Sequence, residues 1–205
     1  MSRKPFVAGN WKMYMTVAQA RHLVSELVPG LQAIAGVEKV LCPPYTDLMA
    51  VRALLEGTEI GLGAQDVHWE EQGAFTGAIS PAMVAEWCQY VIIGHSTRRQ
   101  YFGETDATVN KKIKAALAHG LIPIMAIGET LEENQAGRTG EVLSRQLRDG
   151  LAGLAADPSL SVAGRIPLAP LVEMIGAFLD ALEGHYDLYP GATPDEDTND
   201  AMAAS

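Results

Sequence analysis

A short β-branched run, Tyr90-Val91-Ile92-Ile93-Gly94, ends where His95-Ser96-Thr97-Arg98-Arg99 opens a new helical turn. Such a junction delivers one polar side chain to the end of a sheet, beside backbone N–H groups that have no partner within the helix. Taken alone, His95 is equally a histidine satisfied by its neighbours in a polar loop. Its weight comes from other junctions of the same kind. Asn10 and Lys12 follow the apolar run Phe6-Val7-Ala8-Gly9, Gln65 and Asp66 follow Glu59 to Ala64, Ser96 accompanies His95, and Glu129 follows Leu121 to Ile127. The net charge of −10 argues against a nucleic-acid backbone or an anionic membrane as the main partner. It leaves room for an anionic small substrate, because the local field of a lysine and a histidine can oppose the global one.

The elements that must position these residues follow from the apolar spacing. Strands begin near 5, 38, 59, 90 and 121, and each is followed by a helix. Thr16 caps a helix carrying Ala20, Leu23, Val24, Leu27, Leu31 and Ile34 on one face. Thr46 or Asp47 caps a short helix through Leu48, Val51, Leu54 and Leu55, and Ser80-Pro81 places a cap and a first-turn proline together. Thr105 starts a helix through Val109, Ile113 and Leu117 that Gly120 ends, and Gly128-Glu129-Thr130 opens one helical stretch reaching about Leu154. Val- and Ile-rich strands alternating with amphipathic helices imply a parallel sheet covered by helices. That unit fits an open doubly wound sheet or a barrel. No Gly-x-Gly-x-x-Gly follows the first strand, and the polar residues gather at strand C-terminal ends, so the barrel fits better.

The totals agree. The chain has 205 residues, 48% of them hydrophobic, enough for one well-buried domain. Cys42 and Cys88 lack metal-ligand spacing and are expected as buried thiols in a reducing cytoplasm. The apolar run after Arg3-Lys4 is too short for a signal peptide, and no segment is expected to span a bilayer.

Residues 5 to about 154 resemble the triosephosphate isomerase family. The resemblance rests on Ala8-Gly9-Asn10-Trp11-Lys12-Met13, Gly73-Ala74-Phe75-Thr76-Gly77, Ile93-Gly94-His95-Ser96 with Arg98-Arg99, and Ile127-Gly128-Glu129-Thr130-Leu131. It implies an incomplete (β/α)8-type barrel of about five parallel strands, and interconversion of dihydroxyacetone phosphate and glyceraldehyde 3-phosphate through an enediolate. By that resemblance His95 polarises the carbonyl as a neutral imidazole, kept neutral by the helix end that follows it. This enzyme is a standard worked case of that argument. Lys12 supplies positive charge to phosphate and oxyanion, Asn10 orients the substrate and holds Lys12, and Ser96 helps to place the catalytic loop. The resemblance further implies a small phosphorylated triose as partner, no cofactor and no metal. It also implies a homodimer through loop 65–79, which inserts Thr76, beside Phe75, next to the neighbour's Asn10 and Lys12. The plainer alternatives are a surface lysine at 12, against which the Asn-x-Lys setting at a strand end speaks, and a surface loop at 65–79.

The pattern fails after Leu154. Residues 157–205 contain no Glu-Pro-x-Trp run, no Gly-Thr-Gly lid and no Gly-Gly turn, so the general base is unassigned. Residues 157–186 are expected to carry a helix at about 171–182, with Glu173, Glu183 and Asp187 poorly placed to serve as a base. Residues 187–205 are expected to be a disordered acidic tail. Within the matched region Thr97 replaces a glutamate that pairs with the lysine, Ala126 replaces a cysteine, and Ala78 replaces a glutamate whose loss leaves Arg98 short of a partner. With only five strands, the first and last should keep open edges. Two functional readings follow: an isomerase impaired by the loss of base, lid and phosphate loops, or a non-catalytic dimerisation module. A different isomerase or aldolase-type barrel fits the motifs less well.

Overall fold

In a computed structural model, residues 4–154 are described, together with two short strands beyond them, Ser161–Val162 and Ile166–Pro167. Five strands lie parallel and in chain order: β1 Phe6–Asn10, β2 Glu38–Cys42, β3 Ile60–Ala64, β4 Tyr90–Ile93 and β5 Ile122–Met125. The register pairs Ala8 with Val40, Val40 with Gly61, Gly63 with Tyr90, and Tyr90 with Ile122. The intervening helices are α1 Val17–Ala33, α2 Leu48–Leu55, α3 Pro81–Ala85, α4 Ser96–Phe102 and α5 Asp106–Ala118. After β5 come α6 Leu131–Gln135 and α7 Thr139–Gly150. The two later strands, β6 at 161–162 and β7 at 166–167, pair with each other, antiparallel.

Local chemistry sets the helix starts. Gln19 Oε1 accepts from the Thr16 N–H at 2.9 Å before α1, and Ser80 Oγ accepts from the Met83 N–H at 3.4 Å with Pro81 in the first turn of α3. Thr105 and Thr108 satisfy each other's backbone N–H groups ahead of α5. A side chain alternates faces along each strand, so the sheet feeds two cores. Leu41, Leu62, Ala64, Val91 and Ile93 pack outward against Val24, Val51, Val109 and Ile113 of the helices. Val40, Cys42, Tyr90 and Ile92 point to the other face, with Ala8, Ile122 and Ile124 half-buried beside them.

The sheet is curled. In a flat sheet, strands three apart are separated by roughly 14 Å, yet the Phe6 ring of β1 and the Tyr90 ring of β4 approach to 5.6 Å. Glycines make the curl possible: a Cβ on Gly61 would stand 2.7 Å from the Tyr90 ring, and one on Gly63 2.7 Å from Cys42 Sγ. Tyr90 crosses that gap and its hydroxyl donates to Glu38 Oε1 at 3.0 Å. The five-stranded parallel part of the expected barrel is therefore present.

Among the described residues β1 and β5 are the edges of this sheet. Phe6 and Val7 are 45% and 61% exposed. On β5 the Ile122 and Ala126 N–H groups donate inward to Gln89 and Ile93, so alternate residue Pro123 turns its missing N–H to the open side. The expected helical stretch from 128 to 154 is two helices. Gly137 takes φ 69° between them, a left-handed turn that no helix continues through. The domain boundary at 156, the helix at 171–182 and the tail at 187–205 lie outside the described residues.

Candidate active site at the strand ends

Asn10 is the last residue of β1, and its Oδ1 accepts from the Lys12 backbone N–H at 3.0 Å. The Trp11 N–H donates to Cys42 O at 3.1 Å, which ties the turn to the next strand. Between these anchors Lys12 takes φ 52°. A left-handed backbone at a long side chain costs of order 1–3 kcal/mol and persists only where its surroundings enforce it. The side chain of Lys12 is exposed at the rim.

His95 is set by the glycine before it and the helix after it. Gly94 takes φ 81°, and a Cβ there would stand 2.9 Å from Ala126 O, so no other residue fits without displacing β5's continuation. His95 itself caps α4. Its Nδ1 accepts from the Thr97 N–H at 3.3 Å and lies 2.9 Å from Thr97 Oγ1. A backbone N–H can only donate, so the neutral ring carries its proton on Nε2. Burial is the main force holding His95 below the ordinary histidine range. The Lys12 charge adds to it and Glu104 opposes it. Burial of the half-enclosed ring and the neighbouring ammonium both favour the neutral imidazole.

Beneath His95 lies a four-charge network that sequence reasoning missed. Glu104 Oε1 accepts from the Gly94 N–H at 2.9 Å, and its Oε2 accepts from Arg98 Nε and Lys112 Nζ, each at 2.9 Å. Asp66 receives Arg98 Nη2 at 2.8 Å and Lys112 Nζ at 2.6 Å. Burial pushes the Glu104 carboxyl up, but Lys112, Arg98 and Gly94 together hold it below its usual range. Burial raises Asp66 against the pull of the same two cations. Arg98, expected to lack a partner opposite Ala78, has two carboxylates and also lies over the Phe102 ring at 4.8 Å. Asp66 and Glu104 reach Arg98 from two different loops. Gly103, left-handed at φ 66° immediately before Glu104, was the available sequence signal that the chain turns back there.

The remaining singled-out residues divide. Asn10, Lys12 and His95 share one rim, with Ser96 exposed at the first position of α4. Gln65 donates to Cys42 O at 2.8 Å and serves the scaffold. Glu129 is occupied by Asn134 and Thr139, both at 3.0 Å, and fastens α6 to α7. Thr76 and Phe75 lie on loop 65–79, where His68 packs against Trp69 and Phe75 with ring centroids 4.3 and 4.4 Å away. The loop closes through the His68 N–H to Ile79 O at 2.8 Å. Cys42 and Cys88 are buried free thiols, each pushed up to about 12 by burial. Among the described residues no cluster of His, Cys, Asp or Glu could hold a metal, and no helix is long and apolar enough to cross a membrane.

A curled parallel βα sheet with its polar side chains at the C-terminal strand ends defines the class of βα barrels whose chemistry collects on that face. Residues 5–163 match the family model described as triosephosphate isomerase, and the chain belongs to that family. The triosephosphate isomerase of Carboxydothermus hydrogenoformans is 53% identical over 156 residues, covering 76% of this chain and 62% of the relative. That of Thermoanaerobacter pseudethanolicus is 51% identical over 161 residues, covering 78% and 64%. The crystal structure of triosephosphate isomerase from Bartonella henselae superimposes with a TM-score of 0.70 at 38% identity, over 75% of this chain and 65% of that one. The chain thus spans less than two thirds of the length of these relatives.

Proposed function

We propose that residues 5–154 carry the substrate-polarising half of a triose-phosphate isomerisation site, and that this chain turns over at close to background. His95 Nε2–H donates to the substrate carbonyl, Lys12 balances the phosphate and the developing oxyanion, Asn10 holds the Lys12 turn, and Ser96 lines the rim. The observation that carries the reading is His95 capping α4 with its Nδ1 occupied and Lys12 near enough to disfavour the imidazolium. Donors aimed at a developing oxyanion act only while they stay un-ionised and fixed.

Residues 157–205 supply no recognisable base, lid or phosphate turn, and loss of a general base alone costs about 10²–10⁴ in rate. We assign 1–156 to the partial barrel and 157–186 and 187–205 to separate segments. The substrate is a small phosphorylated triose, the setting cytoplasmic glycolysis and gluconeogenesis, and no cofactor is assigned because proton transfer alone completes the reaction. The test is isomerisation of glyceraldehyde 3-phosphate by the purified chain, with His95→Gln purified identically. Equal background rates support the reading of an inherited half-site. Turnover that vanishes in the variant refutes the claim that 157–205 lacks a working base.

A second reading, a non-catalytic dimerisation module, is favoured by one observation. Met13, Tyr14, Phe75, Tyr101 and Phe102 are 94, 64, 46, 70 and 69% exposed. Sedimentation of the chain and of Phe75→Glu separates these readings: a dimer lost in the variant, with no turnover in either, supports the module.

A further inference from the structure

His95 Nδ1 has two partners of different character. The Thr97 N–H at 3.3 Å can only donate, so it serves the neutral ring and opposes a proton on Nδ1. Thr97 Oγ1 at 2.9 Å is closer and can rotate, donating to a bare Nδ1 or accepting from an Nδ1–H. The other groups acting on the ring are Lys12 from the turn after β1, which disfavours its charge, and Glu104 from below, which favours it.

We propose that Thr97 is a positioning residue for His95, its hydroxyl remaining hydrogen-bonded to Nδ1 in either protonation state and so fixing the ring plane as the proton comes and goes. The proposal rests on reading His95 as the site histidine, but its test does not depend on turnover. When Nδ1 carries no proton, the hydroxyl hydrogen lies along the Oγ1–Nδ1 line. When the ring gains a proton, the hydroxyl turns and its lone pair accepts from Nδ1–H. A glutamate or a valine at 97 leaves the same backbone N–H in place but not this reversible partner on a short stem.

The experiment is a titration of the ring nitrogens by ¹H–¹⁵N NMR on the wild-type chain, Thr97→Val and Thr97→Ser, with His95 assigned by its disappearance in His95→Gln. A hydrogen bond to a charged partner is worth more than one to a neutral partner, so Thr97→Val should lower the His95 midpoint by roughly half to one pH unit. Thr97→Ser should restore it. The wild type supplies a measurement independent of how the variants fold: at acid pH the His95 Hδ1 resonance should be visible and slow to exchange. An unchanged midpoint in Thr97→Val, or an Hδ1 that exchanges at the solvent-exposed rate in the wild type, overturns the proposal. Should the isomerase reading fail, the titration still decides the hydroxyl's role.

Discussion

Replacing Glu104 by glutamine is the most informative single change in the described chain. Its side chain is 3% exposed and holds three donors, the Gly94 N–H, Arg98 and Lys112. In the native network two carboxylates, Asp66 and Glu104, balance two cations, Arg98 and Lys112. Glutamine keeps the shape and one acceptor but leaves an excess positive charge, with Lys112 only 6% exposed. Breaking a buried pair from one side costs about 3–5 kcal/mol, a large part of the roughly 5–15 kcal/mol that holds a domain together. Taking about 3 kcal/mol and a urea slope of about 2 kcal/mol per molar, the midpoint should fall by about 1.5 M. The double variant Glu104→Gln with Lys112→Met restores the balance, leaving Arg98 on Asp66, and should recover much of the loss. The assay is urea unfolding followed by far-UV dichroism, with the two single variants and the double variant forming a cycle. A midpoint shift below about 0.3 M for Glu104→Gln, or strictly additive losses in the double variant, would refute the claim that the network acts as one charge-balanced unit.

Other expectations concern acid, packing, capping and the open edge. Because Glu104 titrates below its usual range when folded, it contributes stability above the ordinary carboxylate pKa. That contribution disappears as pH falls through the lower, folded value. The acid limb of a stability–pH curve should therefore be shallower in Glu104→Gln than in wild type, and parallel limbs would contradict the assignment. Gly61→Ala drives a methyl group to 2.7 Å from the Tyr90 ring and should cost about 1–3 kcal/mol. Tyr90→Leu in the same chain should relieve part of it, as differential scanning calorimetry can report. Ser80→Ala removes the acceptor for the Met83 N–H and should cost about 1 kcal/mol in the same assay. Val7→Lys, at a position 61% exposed on the β1 edge, should slow the growth of light scattering without lowering the urea midpoint. Equal aggregation rates would mean that the edge is not the sticky surface.

Most strands were legible because they are short apolar runs that end at glycine or proline, as β2, β4 and β5 do, and the caps at Thr16, Ser80 and Thr105 because hydroxyls precede apolar periods. The rim trio Asn10, Lys12 and His95 was legible as polar residues placed directly after such runs. The network under His95 was not, since Asp66, Arg98, Glu104 and Lys112 are brought together only by the return of α5 beneath loop 65–79. A pattern that compares near neighbours sees four surface charges there. The break at Gly137 was missed because its flanks, Leu131–Gln135 and Thr139–Gly150, both continue a helical composition. The role of Thr97 was hidden for a different reason. Attention to the carboxylate it replaces says nothing of what a hydroxyl does 2.9 Å from an imidazole.

The gap above Gly61 and Gly63 bears on how this chain can change. Residues 61, 63 and 90 belong to two strands, and Glu38, which receives the Tyr90 hydroxyl, to a third. Their sizes are shared out of one lumen, so a larger side chain at 61 is admissible only with a smaller one at 90, and then Glu38 must find another donor, whereas one at 63 meets Cys42 Sγ and needs room there. In a combinatorial library positions 38, 61 and 90 form one linked block, and positions 42 and 63 another. Screening them one at a time would score every member as intolerant, and would discard the pairs that fit together.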